Sequence, residues 1–270
     1  MKEICSEEFK QLTLDILFFV DKFCREKGIR YFLAFGTLLG AIRHKGMIPW
    51  DDDIDIMMPR DEYNRFIRLM QEQKGKTVYQ VNCFETDSQF YLPWARVCNN
   101  TTILLNRPHR IEKDLGVWID VFPIDNAPNP EERDEWFEEY ELKRSKMWFT
   151  IQTPYEKYNF KKQLFSTALL RRLYYGVRHF NKYRDEFMQC ALRFNSQEST
   201  DMMIPCTMYK LRPLFPKKVF DQAIEVDFEG RKLMAPEQYD TYLRIVYGDY
   251  MQFPPLEKRK THHHFTPYYK

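Results

Sequence analysis

None of the six cysteines stands in Cys-x-x-Cys spacing, which disfavours both a zinc site and a disulfide framework and points to reduced thiols in a cytoplasmic protein. No apolar run reaches transmembrane length. In the first expected helix, Glu7 to Lys27, the uninterrupted stretch Ile16 to Val20 is too short for the apolar region of a signal peptide. With only 9 glycines there is no Gly-rich dinucleotide fingerprint, so a Rossmann fold is not indicated. Charge of neither sign dominates: the formal net charge is +2, and bulk charge makes no case for a nucleic-acid partner. Internal repeats and low-complexity tracts are absent. What remains is a chain of 270 residues with ample core for one or two domains.

Against that background one acidic run stands out, Trp50-Asp51-Asp52-Asp53-Ile54-Asp55-Ile56. Read as an extended strand, it puts Ile54 and Ile56 on one face and Asp53 and Asp55 together on the other. Aspartate is a poor strand former and like charges repel, so the pair needs a compensating partner, and carboxylate oxygens suit Mg2+. A solvated edge strand is the alternative. Upstream, Tyr31 to Phe35 reads as a short buried strand running into Gly36-Thr37, where glycine permits a tight turn into a helix. The Thr37 hydroxyl and the helix-start N–H groups there can hold a phosphate, or serve as an ordinary N-cap. Arg43, His44 and Lys45 then complement the helix C-terminus.

A third carboxylate appears in Gly116 to Phe122, where Val117, Ile119 and Val121 form one strand face and Asp120 lies between Trp118 and Phe122 on the other. A carboxylate among aromatic rings is costly unless paired, protonated or metal-bound. Pairing with an arginine competes here with sharing a metal and accepting the proton of an attacking hydroxyl.

Together, Gly36-Thr37, Asp53-x-Asp55 and Asp120 resemble the polymerase-β-type nucleotidyltransferase pattern. More narrowly, the run from Phe35 to Asp55 resembles the LicD family of phosphocholine transferases and their fukutin-related relatives. Ile119 to Asp125 matches a second family motif. Tyr247-Gly248-Asp249-Tyr250-Met251, with Pro254-Pro255 and His262-His263, matches a third. The resemblance covers nearly the whole chain. It implies Mg2+, or Mn2+ in its place, on Asp53, Asp55 and Asp120, and a donor phosphate cradled by Gly36 and Thr37. Lys45, Arg96 and His263 would be charge or phosphate contacts, although Arg96 near a strand centre also suits a buried salt bridge. The implied reaction moves phosphocholine from CDP-choline to a hydroxyl of a teichoic-acid or lipopolysaccharide type glycan, free or lipid-linked, and releases CMP. A CDP-ribitol or CDP-glycerol donor is the nearest alternative, and a non-catalytic glycan- or lipid-binding member the remote one. Choline asks for aromatic faces, and Trp50 and Trp118 adjoin the two acidic motifs, with Trp94 nearby.

The organisation expected is α/β (α+β): a nucleotidyltransferase-like small mixed sheet flanked by helices over residues 1–150, a basic helical appendage over 151–200, and a C-terminal segment over 201–270 packing back on the core. Strands are expected at Thr77 to Phe84, Tyr91 to Cys98 and Thr101 to Leu105, and a helix from Pro59 to about Lys74. Pro123, Pro128 and Pro130 mark a linker before a charged helix, Glu131 to about Phe149. Lys157 to Arg184 carries basic residues and no acid, with Leu164, Phe165, Ala168, Leu169 and Leu173 at helical spacing. It reads either as a core-packed helix with a solvated face or as a surface for an anionic acceptor or the inner face of an anionic membrane. Ala223 to Ala235 reads as a hairpin turning at Glu229-Gly230, followed by a helix from Pro236 to about Tyr247.

Overall fold

The computed structural model describes residues 1–87, 90, 92–105, 115–151, 180–205, 214–259, 261 and 265–270. After a two-residue strand, β1 (Lys2–Glu3), the chain forms α1 (Ser6–Lys27). The Glu8 carboxylate accepts the Cys5 N–H at 3.1 Å, Arg25 and Lys27 sit in the last turn, and Gly28 ends the helix in a left-handed conformation (φ 60). These are the capping and dipole preferences of a helix of this length. Leu14, Leu17, Val20 and Cys24 recur at helical spacing on its buried face.

A central mixed sheet runs β2 (Phe32–Leu33), β3 (Asp55–Pro59), β7 (Trp118–Asn126), β5 (Ala95–Asn99), β4 (Tyr79–Asn82) in spatial order, with β8 (Asp201–Met203) and β9 (Phe215–Pro216) added beyond the far end of β7. Among the described residues only β3 and β7 pair in parallel. Helices α2 (Phe35–His44) and α3 (Arg60–Gln71) flank it, and α4 (Arg133–Ile151) pairs with α5 (Phe180–Ala191). The architecture is α+β and nucleotidyltransferase-like, as expected. No helix among the described residues is long and apolar enough to cross a membrane.

The C-terminal segment holds α2 at both ends. Its hairpin, β10 (Ala223–Phe228) and β11 (Arg231–Pro236), turns at Glu229-Gly230, and α6 (Tyr239–Tyr247) follows. The buried Tyr242 hydroxyl accepts the Phe35 N–H at 3.3 Å, at the start of α2. At its end, Arg43 Nη1 donates to the carbonyls of Tyr250 and Gln252 at 2.8 and 3.2 Å. A third sheet, β1–β12 (Thr266–Tyr269)–β6 (Thr102–Leu105), joins the two ends of the chain. Of its strands the sequence signalled β6, expected from Thr101 to Leu105, while β1 and β12, of two and four residues, carry no readable period.

Four expectations are corrected. The acidic strand starts at Asp55, so Asp53 lies before it and does not share a strand face with Asp55. Pro123 is interior to β7 and starts no linker; β5 pairs only as far as Val121 and pairing with β8 begins at Asp125, so the missing N–H of Pro123 falls where that edge has no partner. The residue with left-handed backbone at the strand-to-helix turn is Phe35 (φ 41), not Gly36. Pro236 ends β11, and the helix begins three residues later. The basic segment Lys157 to Arg184 lies outside the described residues up to 179. Within its described end, Arg184 is buried and its guanidinium lies 5.0 Å over the Phe84 ring.

Candidate active site

Strand register assembles the acids. Asp55 of β3 is the parallel partner of Asp120 on β7, and Asp120 is the antiparallel partner of Arg96 on β5. Directly opposed residues project to the same side of a sheet, so carboxylate, carboxylate and guanidinium form one row across three strands. Asp120 is buried and accepts three N–H groups: Trp94 Nε1 at 2.6 Å and Arg96 Nε at 2.8 Å on Oδ1, and Trp118 Nε1 at 3.0 Å on Oδ2. These two tryptophans therefore aim their polar edges at a carboxylate. Arg96 also lies 4.2 Å over the Trp118 ring.

Asp55 has no such relief. Loss of water, then the charges of Asp53, Asp120 and Asp51, push its carboxyl well above the ordinary carboxylate range, opposed by Arg96. Its backbone N–H donates to Thr37 Oγ1 at 2.8 Å, and its carbonyl accepts the Ala34 N–H at 3.0 Å, which lock β3 to the start of α2. Asp51, Asp52 and Asp53 stand on the loop that enters β3, closed by Asp51 N–H to Ile48 C=O at 2.9 Å. One carboxylate oxygen from each lies within 4.8 Å of the others.

Gly36 is what lets that loop approach. A Cβ placed on it would stand 2.5 Å from Asp51 Oδ2, so the lack of a side chain, rather than a special φ, is what this position requires. Thr37 is buried with its oxygen already accepting from Asp55, so it ties two elements together at the point where the acids meet. Lys45 terminates α2 in a left-handed conformation, one helix length away from Gly36, and its carbonyl accepts the Glu229 N–H. Trp50 precedes the acid loop and lies near His44 and Phe253. His263 is outside the described residues.

The structure thus brings Gly36, Thr37, Asp53, Asp55, Asp120 and Arg96 to one end of the sheet, with Lys45 and Trp50 at the other end of α2. Asp51 and Asp52 join them, and strand alternation missed both because it credits only Asp53 and Asp55. Their signal was simply three successive acids before the strand. The donor chemistry fits a hard divalent cation. Three carboxylates converge, and a fourth has its proton affinity raised by the other charges, the arrangement a cation relieves.

A family model described as LicD/FKTN/FKRP, nucleotidyltransferase domain, matches residues 28–168. The chain is 29% identical over 265 residues to the lipopolysaccharide cholinephosphotransferase LicD of Haemophilus influenzae, covering 97% of each. It is also 39% identical over 51 residues to the human and mouse ribitol 5-phosphate transferase FKRP, which amounts to 19% of this chain and 10% of those proteins.

Proposed function

The chain belongs to the LicD family and is a transferase, and on that premise we propose that it moves phosphocholine from CDP-choline to a hydroxyl of a cell-surface glycan, releasing CMP. The observation that carries the choice of phosphocholine is the end-to-end likeness to a lipopolysaccharide cholinephosphotransferase. Ribitol phosphate is the second reading, favoured only by the 51-residue match to FKRP.

Transfer of a phosphoryl group asks mainly for positioning and for neutralisation of charge. Asp53 and Asp55, with Asp51 and Asp52 beside them, are the residues that would hold Mg2+ or Mn2+. Bound there, the cation would neutralise the donor diphosphate and the leaving CMP. The protein's own part is the remainder. Gly36 leaves room for Asp51 and for a donor phosphate at the start of α2. The helix-start N–H groups of Gly36 and Thr37 would meet that phosphate, while the Thr37 hydroxyl fastens β3 to the helix. The acceptor hydroxyl gives its proton to Asp120, which Arg96, Trp94 and Trp118 hold in place. Trp118 and Trp94 are buried and Arg96 already lies over the Trp118 ring, so a choline cation looks to other faces.

The test is CMP release from CDP-choline, CDP-ethanolamine, CDP-ribitol and CDP-glycerol, with Mg2+ and with chelator, in the presence of a glycan acceptor. Metal-dependent release greatest with CDP-choline is expected. Preference for CDP-ribitol moves the assignment to the second reading, and release from none of the four rejects both.

A further inference from the structure

Among the described residues Phe35, Lys45 and Glu229 are the non-glycines with positive φ, at 41, 59 and 48. Lys45 ends α2 and Glu229 stands at the hairpin turn, where left-handed backbone is ordinary. Phe35 has neither reason. It opens α2 with a large side chain in a conformation that strains it, so its surroundings must hold it there. Such strain next to a functional site asks what holds it and what the held geometry serves.

Tyr242 of α6 supplies the hold. Its hydroxyl accepts the Phe35 N–H at 3.3 Å from 207 residues along the chain. Ala34, the N-cap of α2, makes no side-chain cap, so this bond puts a remote partner where a local one is usual. The hydroxyl is itself placed by a fully buried ring. That ring stacks on Phe215, with centroids 4.7 Å apart and planes 9° from parallel, and meets Phe220 edge-on at 6.3 Å. Burial, against the Phe35 hydrogen bond and with the charge of Asp55, keeps the hydroxyl protonated. The Phe35 ring is packed edge-on to Phe122 at 5.4 Å, two residues after Asp120 on β7.

What Phe35 holds in turn is the acid cluster. Before it, the Ala34 N–H donates to the Asp55 carbonyl at 3.0 Å. After it, Gly36 gives Asp51 its close approach, a Cβ there standing 2.5 Å from Asp51 Oδ2, and Thr37 Oγ1 accepts the Asp55 N–H at 2.8 Å. A change of φ at Phe35 swings Gly36 and Thr37 relative to Ala34, and these contacts cannot all survive it. We propose that Tyr242 is a positioning residue of the acid cluster: its hydroxyl holds the left-handed turn at Phe35, and through Gly36 and Thr37 that turn sets Asp51 and Asp55 for the cation. Tyr242 acts through these residues and touches neither cation nor donor. Outer partners of this kind orient metal ligands that could otherwise turn away.

This inference deepens the proposed reaction and rests on a divalent cation binding these acids. The experiment is calorimetric titration of the full chain with Mg2+ alone, beside thermal unfolding and the KM for CDP-choline in CMP release. Tyr242→Phe removes one oxygen and keeps the stacked ring. Tyr31→Phe is the control, since Tyr31 is also buried and its hydroxyl donates to Asp21 Oδ1 on α1 at 2.7 Å. Each variant loses a buried hydrogen bond, so both are expected to melt below wild type. Only Tyr242→Phe is expected to weaken Mg2+ binding, by about tenfold or more, and to raise the KM for CDP-choline with it. Should Tyr242→Phe fail to fold, Phe215→Leu, which loosens the ring and leaves the hydroxyl, is expected to show the same loss in smaller measure. Wild-type Mg2+ affinity in the folded variant, whatever its melting temperature, makes Tyr242 a core residue and overturns the inference while leaving the transferase reading intact. Equal weakening of Mg2+ in Tyr31→Phe does the same. If wild type itself binds no Mg2+, the metal reading falls and this inference with it.

Discussion

Gly36→Ala separates the site from the fold, because the structure says what the added methyl would meet. The position is helical with no left-handed φ, so backbone geometry tolerates alanine, and helix propensity favours it by up to about 1 kcal/mol. The obstacle is one atom: the new Cβ would stand 2.5 Å from Asp51 Oδ2. That atom is the tip of a side chain on a partly exposed loop, so Asp51 swings away at little structural cost. The acid cluster loses one of its three converging oxygens and the donor loses its close approach to the helix. We expect Gly36→Ala to unfold within a few degrees of wild type, roughly 1 kcal/mol in a chain of this size, while CMP release falls about a hundredfold, the usual scale for losing one electrostatic contact. The Mg2+-induced rise in melting temperature should shrink in parallel. Gly40→Ala is the contrast. Its Cβ would meet the backbone oxygen of Gly46 at 2.5 Å, which cannot swing aside, so overpacking costs about 1–3 kcal/mol. Thermal unfolding and a coupled CMP assay read both quantities. Near-wild-type turnover in Gly36→Ala refutes the role assigned to Asp51, and a melting loss as large as that of Gly40→Ala refutes the claim that the loop yields.

Three further outcomes follow from the same charges. Asp53→Asn and Asp55→Asn should each lower CMP release by about a hundredfold or more at saturating Mg2+, with far-ultraviolet circular dichroism unchanged; near-normal turnover in Asp53→Asn rules the site out. Asp55 has a folded pKa raised above its ordinary 3.8, so the stability it contributes is full below that value and is lost as pH rises through the folded one. Metal-free Asp55→Asn should therefore be more stable than metal-free wild type at neutral pH. The gap should close on acidification and vanish with Mg2+; a gap in urea unfolding that ignores pH contradicts the burial and charge repulsion at Asp55. Arg96→Met strips a buried carboxylate of its cation and should cost about 3–5 kcal/mol. Arg244→Met, at the exposed pair with Asp240, should leave the melting curve close to that of wild type. Equal losses in those two melting curves would show that Asp120 does not depend on Arg96.

Local signals in the sequence carried local structure. The stripe of Leu14, Leu17, Val20 and Cys24 was enough to read α1, and Glu229-Gly230 between two short apolar runs was enough for the hairpin. Pairing over long separations left no such mark. β12 sits between β1 and β6 because Pro267 and Tyr268 align with Leu104 and Ile103, a register no window around residue 266 contains. Pro123 misled for the same reason: proline reads as a breaker wherever its missing N–H matters, and whether it matters depended on where β5 and β8 stop.

The site divides along the same line. Three acids and a Gly-Thr turn were visible as residues, since a run of like charges next to an apolar strand is unusual wherever it is read. What each does was not visible, because function here is set by neighbours across the sheet. The flanking rings of Asp120 are compatible with either a metal ligand or a salt-bridge partner. Its register with Arg96, and the indole N–H groups of Trp94 and Trp118 aimed at it, make it a carboxylate already satisfied from one side. Asp55, one strand over, faces the same acids with its backbone N–H and carbonyl tied down, while the three N–H groups that hold Asp120 all point away to that neighbour. Two aspartates in adjacent register positions thus differ in how far their charge is compensated by protein alone. The less compensated one lies toward the loop that supplies Asp51, Asp52 and Asp53, where the divalent cation proposed above would offset the like charges.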